Sequence, residues 1–298
     1  MAPDRAAPGR GRRRRAPLRA RPGRRFYAGP VADVERLLAA YDAQLRLAGQ
    51  ATLPPGVVAR WDGPVLRVAG HHRGFVSGPA DLGVAGADLD ALIARQRDFF
   101  AARGEAVEWK VWGHDRPADL PARLRAAGFV AEDEETVLVA PTRAVAARPA
   151  TPPRGVVLRE VGTDADLDRL ARLQARVWGA DFGWLAAELR QRRDGAGERL
   201  HVVAAEAGPR MVAVAWLVIT PGVDFGGLWG GATLPGWRGR GVYRALVAYR
   251  AQVAAAARVP YLQVDASAQS RPILRRLGFA ALTTTTPFVW TPPDATRP

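Results

Sequence analysis

The chain has 298 residues, 48% of them hydrophobic, enough for one large domain or two of ordinary size with a substantial core. It contains no cysteine, which excludes disulfides, thiolate metal sites and a cysteine nucleophile. The formal charge is +14, yet residues 1–25 hold ten arginines against one aspartate, so +9 belongs to that segment and +5 to all the rest.

The arginine-rich segment is also rich in Pro, Gly and Ala and lacks hydrophobic periodicity, so disorder is expected there. It reads as a solvated extension or as an arm gripping nucleic-acid phosphates, and the first reading is preferred. No apolar run approaches the roughly 18 residues of a membrane span, and no secretory h-region is seen, so a cytoplasmic protein without membrane partners is expected. The four histidines (His71, His72, His114, His201) show no metal-ligand spacing, and no metal is expected.

From Val31 to Leu47, apolar residues recur at helical spacing. Short strands are predicted at Val57–Trp61 and Val65–Val68 around the turn Asp62-Gly63-Pro64, followed by a helix at Leu89–Ala102. Val107–Trp112 alternates like a strand, Leu120–Ala127 is helical, and Val137–Ala140 is a strand. Residues 141–155, with four prolines and Gly155, read as a domain linker.

The second half opens with a strand, Val156–Val161. A helix capped by Thr163 or Asp164 then runs to about Val177, and a second covers Trp184–Arg192. Strands are predicted at Leu200–Glu206, Val212–Thr220 and Phe225–Leu234. A glycine-rich turn leads to a helix at Val242–Ala257, a strand at Tyr261–Val264, a short helix at Arg271–Leu277 and strand-forming sequence to Trp290. The fold class expected is α/β with a mixed sheet. The helix ending in Gly128-Phe129 and the helix ending in Gly278-Phe279 each follow a strand and precede another, which predicts an internal duplication.

The stretch that carries chemistry is Gly230-Gly-Ala-Thr-Leu-Pro-Gly-Trp-Arg-Gly-Arg-Gly-Val-Tyr243. A strand enters a turn with two glycines and a helix begins at once, which places unpartnered N–H groups and a positive dipole end where an anion would sit. Arg238 and Arg240 add charge-assisted donors. There is no lysine for a P-loop, and Arg244 stands where a dinucleotide fingerprint needs its third glycine.

In this segment and its surroundings, residues 156–290 resemble the GNAT acetyltransferase superfamily: a Thr-Leu-Pro-x-x-Arg-Gly-Arg-Gly loop after a strand, the helix behind it, then strand, helix and Gly-Phe. The resemblance implies a GNAT-like acyl-CoA N-acyltransferase fold, in tandem if residues 26–140 are a degenerate copy lacking the loop. It implies acetyl-CoA as co-substrate, its pyrophosphate cradled by Arg238, Gly239, Arg240, Gly241, Val242 and Tyr243. The pantetheine arm would pair with backbone near Thr233 and Leu234. Ser267 and Ser270 stand where the family often places an asparagine touching that arm. Tyr243 departs from the Gly/Ala of the family loop, and its side chain is expected to point away.

The resemblance also implies a base on the strand before the loop, for which Asp224 is the candidate and Asp265 the reserve. The family's tyrosine acid falls on Leu274 here. The expected activity is acetyl transfer to an amine of a small molecule or protein. The alternatives are an acyl-CoA-binding sensor and a nucleic-acid-binding protein acting through residues 1–25.

Overall fold

A computed structural model describes residues 34–46 and 56–293; the arginine-rich segment 1–25 lies outside the described residues, as do the ends of the helix expected from Val31 to Leu47. Helix α1 (Val34–Leu45) is followed by the hairpin β1 (Val58–Asp62) and β2 (Val65–Ala69), then β3 (Gly74–Ser77). Helix α2 (Gly86–Ala101) leads to β4 (Val107–Trp112), and α3 (Leu120–Ala126) to β5 (Val130–Ala131) and β6 (Glu135–Pro141). After α4 (Thr142–Ala146) come β7 (Val157–Val161), α5 (Asp164–Trp178), α6 (Gly183–Asp194), β8 (Arg199–Ala207), β9 (Arg210–Ile219) and β10 (Phe225–Thr233). The chain closes with α7 (Val242–Ala256), β11 (Tyr261–Ala266), α8 (Arg271–Arg276) and β12 (Ala280–Trp290).

One mixed sheet runs through both halves in the order β1-β2-β3-β4-β12-β6-β11-β10-β9-β8-β7, with β5 on β12. The last strand of each half is inserted into the other. β6 pairs antiparallel with β11, Thr136–Pro141 against Ala266–Tyr261. β12 pairs antiparallel with β4, Thr285–Trp290 against Trp112–Val107. The local geometry repeats as well. Gly128 (φ 89°) and Gly278 (φ 98°) take the left-handed conformation that ends a helix. Phe129 N donates to Leu124 O at 3.0 Å and Phe279 N to Leu274 O at 3.1 Å.

Strand alternation divides the core between the two faces of the second half. On β9, Val214, Trp216 and Val218 pack with Leu167 and Leu170 of α5 and Leu185 and Leu189 of α6. Leu217 and Ile219 face Val247, Ala251 and Ala254 of α7. Helix α5 begins where expected, because Thr163 Oγ1 accepts from Asp166 N at 3.2 Å. It stops at Gly179, whose φ is 69°.

Three elements, β3, the two-residue β5 and α4, depart from the sequence reading. β3 lay hidden in a glycine-containing stretch too short to show alternation. The segment read as a linker is anchored at its start: Thr142 N donates to Pro260 O at 2.9 Å, and Val145 of α4 is buried among Val247, Ala251 and Ala254. Proline content marks a path that leaves the sheet, but Val145, Ala146 and bonds from Gln252 to Ala146 O and Arg148 O dock it on α7.

Candidate active site

The site begins where two parallel strands part. β10 and β11 pair only over Phe225–Gly227 and Tyr261–Gln263; beyond that a gap opens between them. On its other edge β10 carries an irregularity against β9 between Trp229 and Ala232. Gly230 sits there with φ +59°, and a Cβ on it would lie 1.8 Å from the Trp216 ring. Glycine is required twice over.

The carbonyls freed by this bulge are taken up by buried side chains. Gln174 Nε2 of α5 donates to Gly230 O at 2.6 Å, and Trp178 Nε1 donates to Gln174 Oε1 at 2.8 Å. From α7, Arg250 donates through Nη1 to Trp216 O at 2.9 Å and to Trp229 O at 3.4 Å. Arg250 is 1% exposed, and burial pulls its pKa down to about 10. It remains charged at neutral pH, with its Nε donating to Leu246 O and its Nη1 to the two strand carbonyls.

After Thr233 the chain makes a 3₁₀ turn, Pro235–Trp237, and reaches α7 through Gly239 (φ 72°) and Gly241 (φ 85°). The first helical bond runs from Ala245 N to Gly241 O, so the N–H groups ahead of it have no helical acceptor. They face a cavity of about 830 Å³. Among the described residues its walls hold Thr233, the whole segment Arg238–Arg244, Ser267 and Ser270, and five arginines (Arg148, Arg238, Arg240, Arg244, Arg276) with no carboxylate. A concave, cationic wall at a helix N-terminus suits a ligand with several phosphates.

Residues 167–279 match the family model described as Acetyltransferase (GNAT) family. This part of the chain is a GNAT-family domain. Solved structures of similar fold include a GCN5-related N-acetyltransferase from Kribbella flavida (17% identity, 88% of this chain and 96% of that one, TM-score 0.62). A tandem GNAT protein from the clavulanic acid biosynthesis pathway aligns over 89% of this chain and 95% of its own at 15% identity and TM-score 0.58. A GCN5-related N-acetyltransferase from Sphaerobacter thermophilus aligns over 78% and 82% at 15% identity and TM-score 0.53. At these identities the likeness is one of fold, the GNAT fold. No curated protein matches the chain in sequence.

Of the residues singled out from sequence, the GNAT domain brings Thr233, Arg238, Gly239, Arg240, Gly241, Val242, Tyr243, Ser267 and Ser270 to one cavity. Leu234 is buried beside it in the α5–α6 core. The Tyr243 ring packs against the core beneath α7. It lies against Gly231, where a Cβ would meet it at 2.7 Å, and burial raises its phenol pKa. Gly231 is the small residue that makes room for a tyrosine in the helix. Arg148 and Arg276 were not singled out; Arg148 lies in the stretch read as a linker, where its proximity to α7 has no sequence signal.

Asp224 stands at the opposite end of β10 from the loop. Its N–H donates to Gln44 Oε1 at 2.7 Å and its Oδ2 accepts from Gln44 Nε2 at 3.2 Å, so it ties α1 to the sheet and does not line the cavity. Asp265 borders the gap, but its carboxylate is engaged by Lys110 and by Gln263 Nε2 at 2.7 Å. Burial pulls the Lys110 ammonium down, and Asp265 more than reverses this, holding it above its ordinary range. Glu135, which sequence reasoning missed, belongs to the same cluster. Burial and the nearby Asp265 raise its pKa to about 7. Leu274 is fully buried and faces the core.

A similar parting of parallel strands occurs in the first half. β3 and β4 pair over Gly74–Val76 and Val107–Trp109, then part in the same way. There the backbone closes the space, with Arg116 N donating to Ala80 O at 2.6 Å and Leu82 N to Arg116 O at 3.1 Å. Arg46 plugs what is left, donating to Gly78 O at 3.0 Å and to Asp115 Oδ1 at 2.6 Å.

Proposed function

We propose that the protein transfers an acyl group, acetyl in the first instance, from acyl-coenzyme A to an amine. The C-terminal half would hold the donor, and the first half, a degenerate copy, would bind none. The observation that carries this reading is the cavity opening beside the β10–β11 gap, lined among the described residues by five arginines and no carboxylate.

The residues present fit such a donor. Its diphosphate and phosphate groups match the arginines and the first-turn N–H groups of α7. The gap beyond Gly227 and Gln263 gives an extended arm unpaired strand backbone to bond. The donor supplies a thioester. The protein must hold it beside the amine, exclude water and accept a proton, since an alkyl ammonium is protonated at neutral pH. Glu135 is the final proton acceptor in this reading, reached through a water relay because it does not itself line the cavity. It lies on β6 next to Thr136, which pairs with Ala266 at the edge of the gap, and it titrates near neutrality. Lys110 and Asp265 hold the field around it.

A duplicated architecture is supported by the reciprocal insertion of β6 and β12, the two equivalent Gly-Phe helix ends and the likeness in fold to a tandem GNAT protein. Thiol detection of released coenzyme A with acetyl-CoA and a panel of amines tests the activity; the absence of cysteine removes any protein background. Leu274 in the core, where the family carries a tyrosine acid, favours a second reading, an acyl-CoA-binding sensor. Tight acetyl-CoA binding with no turnover on any amine would select it.

A further inference from the structure

Beside the arginine-lined cavity is a second one of about 340 Å³, built from aromatic rings. Four of the nine tryptophans in the chain line it: Trp178, Trp184, Trp216 and Trp229, with Phe182 beside them. The two cavities share Trp178 and meet along consecutive residues of the bulge: Trp229 and Gly230 face this one, and Gly231, Ala232 and Thr233 face the other. Large apolar rings at a surface are normally covered, yet Trp178 is 53% and Trp229 41% exposed. The Trp229 indole is held in place because Gly227 lacks a side chain; a Cβ there would lie 2.4 Å from its Nε1.

Among the described residues, Glu188 is the only carboxylate lining either cavity. Its oxygens stand 3.7 Å from Nε of Arg192, a cation lining the same cavity, and 3.8 Å from His72 Nδ1, within ion-pair range but beyond hydrogen-bond reach of both. Arg192 is drawn instead toward Glu198, at 3.3 Å. His72 comes from the first half and stacks on Trp184, ring centroids 3.4 Å apart and planes within 9°. Burial lowers its pKa, so at neutral pH it adds no charge to the pocket. The indole N–H of Trp216, buried in the same wall, has no acceptor among the described residues.

We infer that this pocket is the acceptor site and that it takes a primary amine carried on a flat aromatic body. The ring would stack among Trp178, Trp184 and Trp229, and the ammonium would be met by Glu188 and the indole faces. The inference rests on the donor assignment made above. A carboxylate ringed by indoles selects for positive charge and for flatness together. His72 gives the first half its part in the site, as a lid over Trp184.

The test is calorimetry of the full chain, saturated with acetyl-CoA, against benzylamine, phenethylamine and 4-phenylbutylamine, with n-hexylamine and 2-phenylethanol as controls lacking the ring and the charge. At least one arylalkylamine binds about tenfold or more tighter than either control, a difference of about 1.4 kcal/mol. Glu188→Gln and Trp184→Leu each weaken that binding about tenfold. The affinity for acetyl-CoA stays within about twofold in both variants. Equal affinity for the arylalkylamines and the controls, indifference to both substitutions, or no amine binding while acetyl-CoA binds normally would overturn the inference. Loss of acetyl-CoA binding in the unaltered protein would strike the donor assignment instead.

Discussion

Gln174 Nε2 donates to the carbonyl of Gly230 at 2.6 Å, and this bond fixes the bulge on which both cavities depend. Arg250 takes the neighbouring carbonyls of Trp216 and Trp229 from the other side of the sheet, so the irregular stretch of β10 is pinned from two faces. Without these donors the freed carbonyls would be buried unpaired.

Gln174→Leu should therefore cost about 1–3 kcal/mol, the penalty of an unsatisfied buried carbonyl. Gly230→Ala should cost more, about 3 kcal/mol or above, because it combines left-handed strain with a clash against Trp216. Urea denaturation of the two variants measures both, and Gly230→Ala should be the less stable.

Arg148 and Arg276 extend the cationic wall beyond the loop itself. Replacing either with Ala should weaken acetyl-CoA binding about 3- to 10-fold at low salt, and by less in 0.5 M NaCl, since exposed charges are screened. Titrations at two ionic strengths check this.

That pair also shows what was legible in the sequence. The loop, its glycines and its first two arginines were readable because a local turn must be encoded locally: Gly239 and Gly241 both adopt positive φ. Arg148 was not readable, because it reaches the cavity only through the docking of α4 on α7. Glu188 and His72 meet beside Trp184 through tertiary packing alone, and neither carries a local signal. The exchange of β6 and β12 was likewise invisible: each strand has the same alternation whichever neighbour it pairs with.

Glu135 makes stability depend on pH. Its folded pKa of about 7 lies above the ordinary 4.5, so the folded state binds more protons between those values. Its contribution is fully present below about 4.5 and is lost as pH rises through about 7. Glu135→Gln should remove this fall, leaving the variant more stable at pH 8 by up to about 3 kcal/mol. Denaturation midpoints from pH 4.5 to 8 read the effect. The same variant should lose the ascending limb near pH 7 in kcat/KM.

Asp224→Asn gives the opposite outcome. The side chain meets Gln44 at the far end of β10, and Asn preserves most of that contact. Acyl transfer should stay within about threefold of the unaltered protein, with any change showing as a small loss of thermal stability. A loss of a hundredfold or more in kcat with folding intact would return the base to Asp224.

The central claim is that the Arg238–Tyr243 loop and the arginines around it hold the phosphates of acyl-coenzyme A. Calorimetry with acetyl-CoA on the full chain and on the double variant Arg238→Ala/Gly241→Asp tests it most directly. The variant removes one cation, adds one anion and forces a side chain onto a residue with φ +85°. A fall in affinity of about 100-fold or more, with the fold intact by circular dichroism, is the result expected. Unchanged binding would contradict it.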